Sequence, residues 1–128
     1  MSLRDKIMPI SWSWREGEYI DFWSGPHFLS GVLLGFVGYL VPLPFSEVFL
    51  LVLALLIIYE MWEAAIEIGE YLENSVLDVV LAIFGFIGAY RLSEMYLTDE
   101  VVLVFSGILA LALALLATVG WQAYLQRG

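Results

Sequence analysis

Hydrophobic residues occupy four long stretches of this chain, and most polar residues lie between them. The apolar stretches run from about 22 to 41, 46 to 68, 76 to 91 and 100 to 124. A helix needs about 20 mainly apolar residues to cross the roughly 30 Å hydrocarbon layer of a bilayer. The pattern therefore predicts an all-α integral membrane protein with four transmembrane helices, which short loops would connect into an up-down-up-down bundle.

Serine and proline residues mark the predicted ends of the first helix. Ser24 is a suitable N-cap, and Pro26 suits the first turn because an N–H there has no partner within the helix. Pro42 and Pro44 are expected to terminate the helix, since proline cannot continue it.

Capping patterns mark the predicted starts of the third and fourth helices. Ser75 and Asp78 fit a capping box, in which each side chain covers a free backbone N–H of the first turn. Thr98 can cap the fourth helix, and the two acidic residues after it are favourably placed at a positive helix end. Residues 91–100 are then expected to form the last loop.

Small residues recur every four positions on two of the predicted helices. Gly31 and Gly35 form a GxxxG pair, which allows another helix to approach closely. Ser106, Ala110 and Ala114 form a similar ridge on the fourth helix. Both faces are candidates for a homo-oligomer contact, although GxxxG is a better indication of packing inside the bundle.

The composition supports the membrane assignment, because 62% of the residues are hydrophobic and only 15% are charged. Soluble domains are about 45–50% apolar and about 25% charged. We expect residues 21–128 to form one transmembrane domain. Residues 1–20 contain Trp12 and Trp14, and tryptophan favours the headgroup layer, so this segment is predicted to lie at the membrane interface.

The charges indicate an orientation and exclude some partners. Arg4, Lys6, Arg15 and Arg127 would share one side of the membrane, and Arg91 would lie on the other. The excess of Lys and Arg marks the cytoplasmic side, so both termini are predicted to be cytoplasmic, in the plasma membrane of a prokaryote. A net charge of -9 argues against nucleic acid as a partner. The absence of cysteine excludes disulfides and thiolate metal sites.

Acidic residues are concentrated between the second and third apolar stretches. Steps of three and four residues place a series of them on one helix face: Glu60, Glu63, Glu67 and Glu70. We expect Glu60 and Glu63 to lie within the edge of the membrane. The later ones, together with Glu73, are expected to form a solvated face.

The predicted topology brings four ionisable residues to the same depth. His27 lies one turn into the first helix and Asp78 one turn into the third, and both helices start from the side at which the second helix ends. His27, Glu60, Glu63 and Asp78 are therefore the candidate metal ligands. Oxygen ligands with one imidazole suit a divalent ion such as Mg, Mn, Zn or Fe. Clustered carboxylates repel one another, so a cation or protons should join them.

Simpler roles exist for two of these residues, and several functions fit the site. Asp78 could be only a capping acid, and His27 could only donate to a backbone carbonyl near a helix start. A cation-binding or proton-binding module of the transport type is the preferred interpretation. The alternatives are a metal-dependent membrane enzyme acting on a lipid headgroup and a structural assembly protein. No organic cofactor is indicated, and whether the protein is an enzyme stays open.

Short motifs over about residues 21–89 resemble the small multi-helix VanZ-like proteins and the related DUF2238-type membrane family. These motifs are His27-Phe28-x-x-Gly31 in the first helix, Glu60-x-x-Glu63 at the end of the second, and Asp78 opening a glycine-rich third. The resemblance implies a compact helical membrane protein with a polar site, but it implies no particular reaction. The chain departs from the pattern at residues 72–74, which read Leu-Glu-Asn where the related families often carry further Asp or Arg.

Overall fold

The computed structural model describes residues 22–65 and 72–126, which form four α-helices. They are α1 (Ser24–Leu40), α2 (Phe45–Ala65), α3 (Leu72–Tyr96) and α4 (Asp99–Gln126). The predicted all-helical fold is confirmed over this part of the chain. Three of these helices, α2, α3 and α4, are long and apolar enough to cross a membrane, whereas α1 has only 17 residues. The predicted interfacial segment, residues 1–20, lies outside the described residues.

The ends of α1 follow the serine and proline pattern with one correction. Trp23 occupies the N-cap position and makes no side-chain capping bond, so the prediction of Ser24 as the N-cap is wrong by one residue. Pro26 lies in the first turn, as predicted. Val41 ends the helix with extended backbone angles, φ -77° and ψ 131°, because the residue before a proline is pushed out of the helical region. Pro42 therefore ends α1 by restricting the backbone of Val41.

The predicted start of α3 is wrong. The helix begins at Leu72, so Ser75 and Asp78 lie inside it and cannot form a capping box at its N-terminus. Asn74 and Asp78 are both fully buried, and their four-residue spacing places them on one face of the continuous helix. The inward contacts of this face favour an earlier helix start than the local capping pattern indicates.

The connection between α3 and α4 is shorter than predicted. Residues 91–96 are helical rather than part of a loop, so only Leu97 and Thr98 separate the two helices. The predicted cap is confirmed, because the Val101 backbone N–H donates to Thr98 Oγ1 over 3.3 Å. This bond satisfies one of the donors that a helix N-terminus leaves without an intrahelical partner.

Glycine residues bring the backbones of α1 and α3 into direct contact. A Cβ atom at Gly31 would overlap the backbone carbonyl of Ala82, and one at Gly35 would lie 2.5 Å from the backbone oxygen of Phe86. A Cβ at Gly85 on α3 would lie 2.6 Å from the backbone oxygen of Phe28 on α1. The GxxxG face is therefore occupied by α3 within the same chain, and α1 packs more extensively on α3 than on any other described helix.

Neighbouring helices in the chain run in opposite directions. The glycine contacts pair rising numbers on α1 with rising numbers on α3, so these two helices are parallel. α4 is antiparallel to α1, because Trp23 lies 6.3 Å from Trp121 and Phe36 lies 5.9 Å from Phe105 between ring centroids. α2 is also antiparallel to α1, because His27 lies 6.0 Å from Tyr59 between ring centroids, whereas Gly38, later in α1, lies near Val48, earlier in α2. One end of the bundle thus carries the start of α1, the end of α2, the start of α3 and the end of α4.

The opposite end of the bundle has an aromatic core. Phe86 is fully buried and packs with Val48, Val52 and Tyr90. Phe45 stacks on Phe86 at 5.9 Å between ring centroids. The Arg91 guanidinium lies 4.5 Å from the centre of the Phe45 ring, a cation–π contact that fixes the position of this basic side chain.

Candidate cation site

Three of the four predicted site residues meet at the end of the bundle where α1 and α3 begin. His27, Glu60 and Asp78 each offer one ligand atom, and these atoms lie within 4.8 Å of one another. Within the group, His27 Nε2 lies 3.2 Å from Asp78 Oδ2. Each residue comes from a different helix, so the group, which we call the cation site, depends on the packing of α1, α2 and α3.

The glycine contact between α1 and α3 positions two members of the cation site. His27 lies one turn before Gly31 on α1, and Asp78 lies one turn before Ala82 on α3. Because Gly31 rests on the Ala82 backbone and the helices are parallel, the preceding turns are also close together. The two side chains fill this space and come into contact. The cation site thus depends on Gly31, whose lack of a side chain allows the close helix contact, as well as on the ligands themselves.

Burial strengthens the electrostatic interactions at the cation site. Asp78 is fully buried, the His27 side chain is 13% exposed, and Glu60 is half-buried. Charges interact more strongly in such surroundings than in water, because the effective dielectric constant is lower. The alternative role of Asp78 as a capping acid is wrong, since it is an interior residue of α3.

Glu63 and Asn74 are also buried but are placed one turn nearer the end of the bundle. Glu63 is 7% exposed and follows Glu60 by three residues on α2, and it is not part of the group within 4.8 Å. Asn74 is fully buried and precedes Asp78 by four residues on α3. Asn74 was not predicted as a site residue, because the capping pattern of Ser75 and Asp78 placed it just before the third helix. Its four-residue spacing from Asp78 was the signal that could have identified it.

The remaining acidic residues lie away from the cation site or outside the described residues. Glu73 is exposed, as expected for a solvated face. Glu67 and Glu70 lie outside the described residues, so their predicted position is not tested.

The cation site contains two carboxylates and lies far from the nearest described basic side chain. Among residues 22–65 and 72–126 the sequence contains one Lys or Arg, Arg91, which lies at the opposite end against Phe45 and Glu94. Two carboxylates at this separation repel each other unless a positive charge or a proton lies between them. Protonated His27, a proton on a carboxylate or a bound metal ion could each supply that charge.

Two cavities reach the cation site from different sides. One, of about 310 Å³, lies between α1, α2 and α4 and includes His27 in its wall. The other, of about 420 Å³, lies between α2 and α3 and includes Glu60. Its other walls are mostly apolar, with Ile57, Met61 and Val80 among them. The site is therefore enclosed by three helices but can be approached laterally.

No protein-family model, curated protein or solved structure matches this chain. The resemblance to VanZ-like proteins thus stays a prediction, and the function has to be argued from the geometry of the site.

Proposed function

We propose that the protein is a membrane-embedded binding module that holds a divalent cation at His27, Glu60 and Asp78. The observation that carries this proposal is the meeting of three ligand atoms, from three helices, within 4.8 Å of one another. Ligands bound tetrahedrally about 2.0–2.2 Å from an ion are roughly 3.4 Å apart. The 3.2 Å between His27 and Asp78 already fits that spacing, and a small side-chain movement of Glu60 would complete the set.

The proposed setting is a four-helix transmembrane bundle with the cation site near one membrane interface. In support, α2, α3 and α4 are each long enough to span a bilayer. α1 would span about 25 Å at 1.5 Å per residue, slightly less than the hydrocarbon layer. Its backbone contact with α3 keeps it beside a spanning helix. The distribution of Lys and Arg favours cytoplasmic termini, in the plasma membrane of a prokaryote, with residues 1–20 at the interface.

The donor set favours a transition-metal ion. Carboxylates alone suit Mg or Ca, whereas an imidazole suits Zn or Fe, and Mn accepts a mixed set. Among the ions expected from the sequence, Mn, Fe and Zn therefore fit better than Mg. Glu63, the fourth predicted ligand, would join only after a larger movement. In this proposal it forms an outer polar layer with Asn74.

Proton binding is the second candidate, and the contact between His27 and Asp78 favours it. An imidazole 3.2 Å from a fully buried carboxylate can share a proton with it in the absence of a metal. Such a pair would make the protein a proton-binding module of the transport type. Chemistry on a lipid headgroup remains a prediction of the sequence alone.

Self-association is a separate prediction that now rests on α4. The Gly31 and Gly35 face is covered by α3, whereas Ala110 and Ala114 are exposed. Ser106 is buried and its hydroxyl donates to the Val102 carbonyl over 2.8 Å, so a second copy would contact the two alanines.

Removing one carboxylate should weaken cation binding without unfolding the protein. We expect tag-free protein to bind Mn or Zn at one ion per chain in calorimetric titration. Glu60→Gln should weaken that affinity at least a hundredfold, because loss of residues that only support ligands indirectly already weakens metal binding by about 10–100-fold. The affinity should also fall as the pH is lowered, because the ligands must be deprotonated to bind.

Glu94→Gln is the matched control for this titration. Glu94 is an exposed glutamate at the opposite end of the bundle, where it pairs with Arg91 at 3.2 Å. This variant should bind the ion as the wild type does. Absence of binding for Mn, Fe and Zn would overturn the cation proposal. Proton uptake on folding that disappears in His27→Ala would then support the second candidate.

A further inference from the structure

The cavity beside His27 is an elongated groove between α1, α2 and α4. We call this cavity the acyl groove. One stripe of α1 forms its floor, and leucines of α2 and α4 form its walls. The groove exists because α1 packs on α3 and α4 but contacts α2 only slightly, so α2 and α4 do not close over it.

The two ends of the acyl groove differ in polarity. Trp23 and Trp121 meet edge to face at one end, with ring centroids 6.3 Å apart. His27 and Tyr59 also line this end, and their ring centroids are 6.0 Å from each other. Further along, the lining is aliphatic: Leu34, Leu55, Leu56, Leu113 and Ala117. A ligand that follows this groove therefore needs one polar end and one long apolar part.

The length of the acyl groove fits one leaflet of a bilayer. From Trp23 to Leu34 the floor extends about 16 Å at 1.5 Å per residue, and half of a hydrocarbon layer is about 15 Å. The tryptophan end is the end of the bundle predicted to lie at the membrane interface, where tryptophan is favoured. The groove thus runs from the headgroup level towards the middle of the membrane.

We propose that the acyl groove binds one acyl chain of a membrane phospholipid, with the headgroup at the tryptophan end beside His27. The seating of the chain depends only on the shape and polarity of the groove. The position of the headgroup rests on the proposed function, because a cation held by His27 would attract the phosphate. The occupant is an amphiphile of the surrounding leaflet, and its phosphate would lie next to the cation site.

Filling the acyl groove should release the lipid. The protein would be extracted from vesicles of phosphatidylethanolamine and phosphatidylglycerol and its retained lipid measured by native mass spectrometry. Ala117→Phe and, independently, Leu55→Trp place bulk in the groove from α4 and α2. Loss of contact with about two methylene groups should lower lipid retention about tenfold. Leu111→Trp is the control, because Leu111 lies on α4 with 65% exposure and is not in the groove wall.

The alternative occupants give different masses. A second copy in the groove would appear as a dimer that Ala117→Phe dissociates, and a segment of the same chain would leave the wild type without retained lipid. Either result would overturn the proposal, as would equal lipid retention in the wild type and in both filled variants.

Metal binding measured on the same samples separates this proposal from the proposed function. Ala117→Phe should bind the cation as the wild type does while it loses the lipid. Chelation should weaken retention of phospholipid but not of added diacylglycerol, which lacks the phosphate. If the protein bound no cation but retained lipid that Ala117→Phe and Leu55→Trp release, the acyl groove proposal would stand and the cation site would be refuted. Equal loss of both lipids on chelation would overturn the position assigned to the headgroup.

Discussion

A Gly31→Ala variant is expected to be strongly destabilised and to lose cation affinity together with stability. The added methyl group would overlap the backbone carbonyl of Ala82, which cannot move away as a flexible side chain could. Separating α1 from α3 should cost about 3 kcal/mol or more, at the upper end of the range for overpacking. Because His27 and Asp78 lie one turn before this contact, the same separation would open the cation site. Reversible unfolding in mixed detergent micelles and calorimetric titration would measure the two effects.

Gly88→Ala is the control for this prediction. A Cβ at Gly88 meets nothing within 4 Å, although this glycine also lies inside a helix that packs against α1. Alanine should be neutral there or stabilise the helix by up to about 1 kcal/mol, since glycine is the poorer helix former. Equal stability of the two variants would contradict the backbone contact between α1 and α3.

An Asp78→Asn variant should retain the fold but bind the cation at least a hundredfold more weakly. Asparagine keeps the size of the side chain and removes the charge of the one fully buried ligand of the cation site. Loss of residues that only orient a ligand weakens metal binding by about 10–100-fold, so loss of a direct anionic ligand should exceed that range. Glu73→Gln, an exposed change on the same helix, should leave the affinity unchanged.

A double-mutant cycle with His27→Ala would test whether Asp78 and His27 act together. If both ligate one ion, the second substitution should weaken binding little further, because the first has already removed the site. Additive losses in the double variant would mean that the two residues act separately, in spite of their 3.2 Å contact.

The hydrophobic pattern predicted the number of helices and most of their positions. A bilayer requires each spanning segment to satisfy its own backbone hydrogen bonds, so long apolar stretches can be read as helices. The proline pair and Thr98 then gave accurate helix ends, because each acts through the backbone of adjacent residues. α1, with 17 residues, is the shortest of the four described helices.

The start of α3 could not be read from local signals. Ser75 and Asp78 have the spacing of a capping box, but Asp78 is buried inside α3, where it lies beside His27 of α1 and Glu60 of α2. Such contacts involve residues distant in the sequence, and they outweighed a local preference worth about 1 kcal/mol. The wrong start of α3 affected the predicted site, because it gave Asp78 a simple role as a capping acid and left Asn74 outside the helix.

Three members of the cation site could be predicted, because alternating helices bring their matching ends to one side of a bundle. The fourth predicted ligand, Glu63, was expected to join them, but it is not a member of the cation site. It lies three residues after Glu60, so it is turned about 60° from it around α2 and displaced about 4.5 Å along the axis. Nor does the sequence show that Gly31 holds His27 against Asp78, since GxxxG does not identify its partner helix.

The most direct test of the cation site is pulsed electron paramagnetic resonance of Mn²⁺ bound to tag-free protein. The chain has one histidine, so any imidazole nitrogen coupled to the ion must belong to His27. We expect one ion per chain with a single imidazole nitrogen coupling, which His27→Ala abolishes and Glu94→Gln preserves. Bound Mn²⁺ without nitrogen coupling, or a coupling that persists in His27→Ala, would contradict the proposed site.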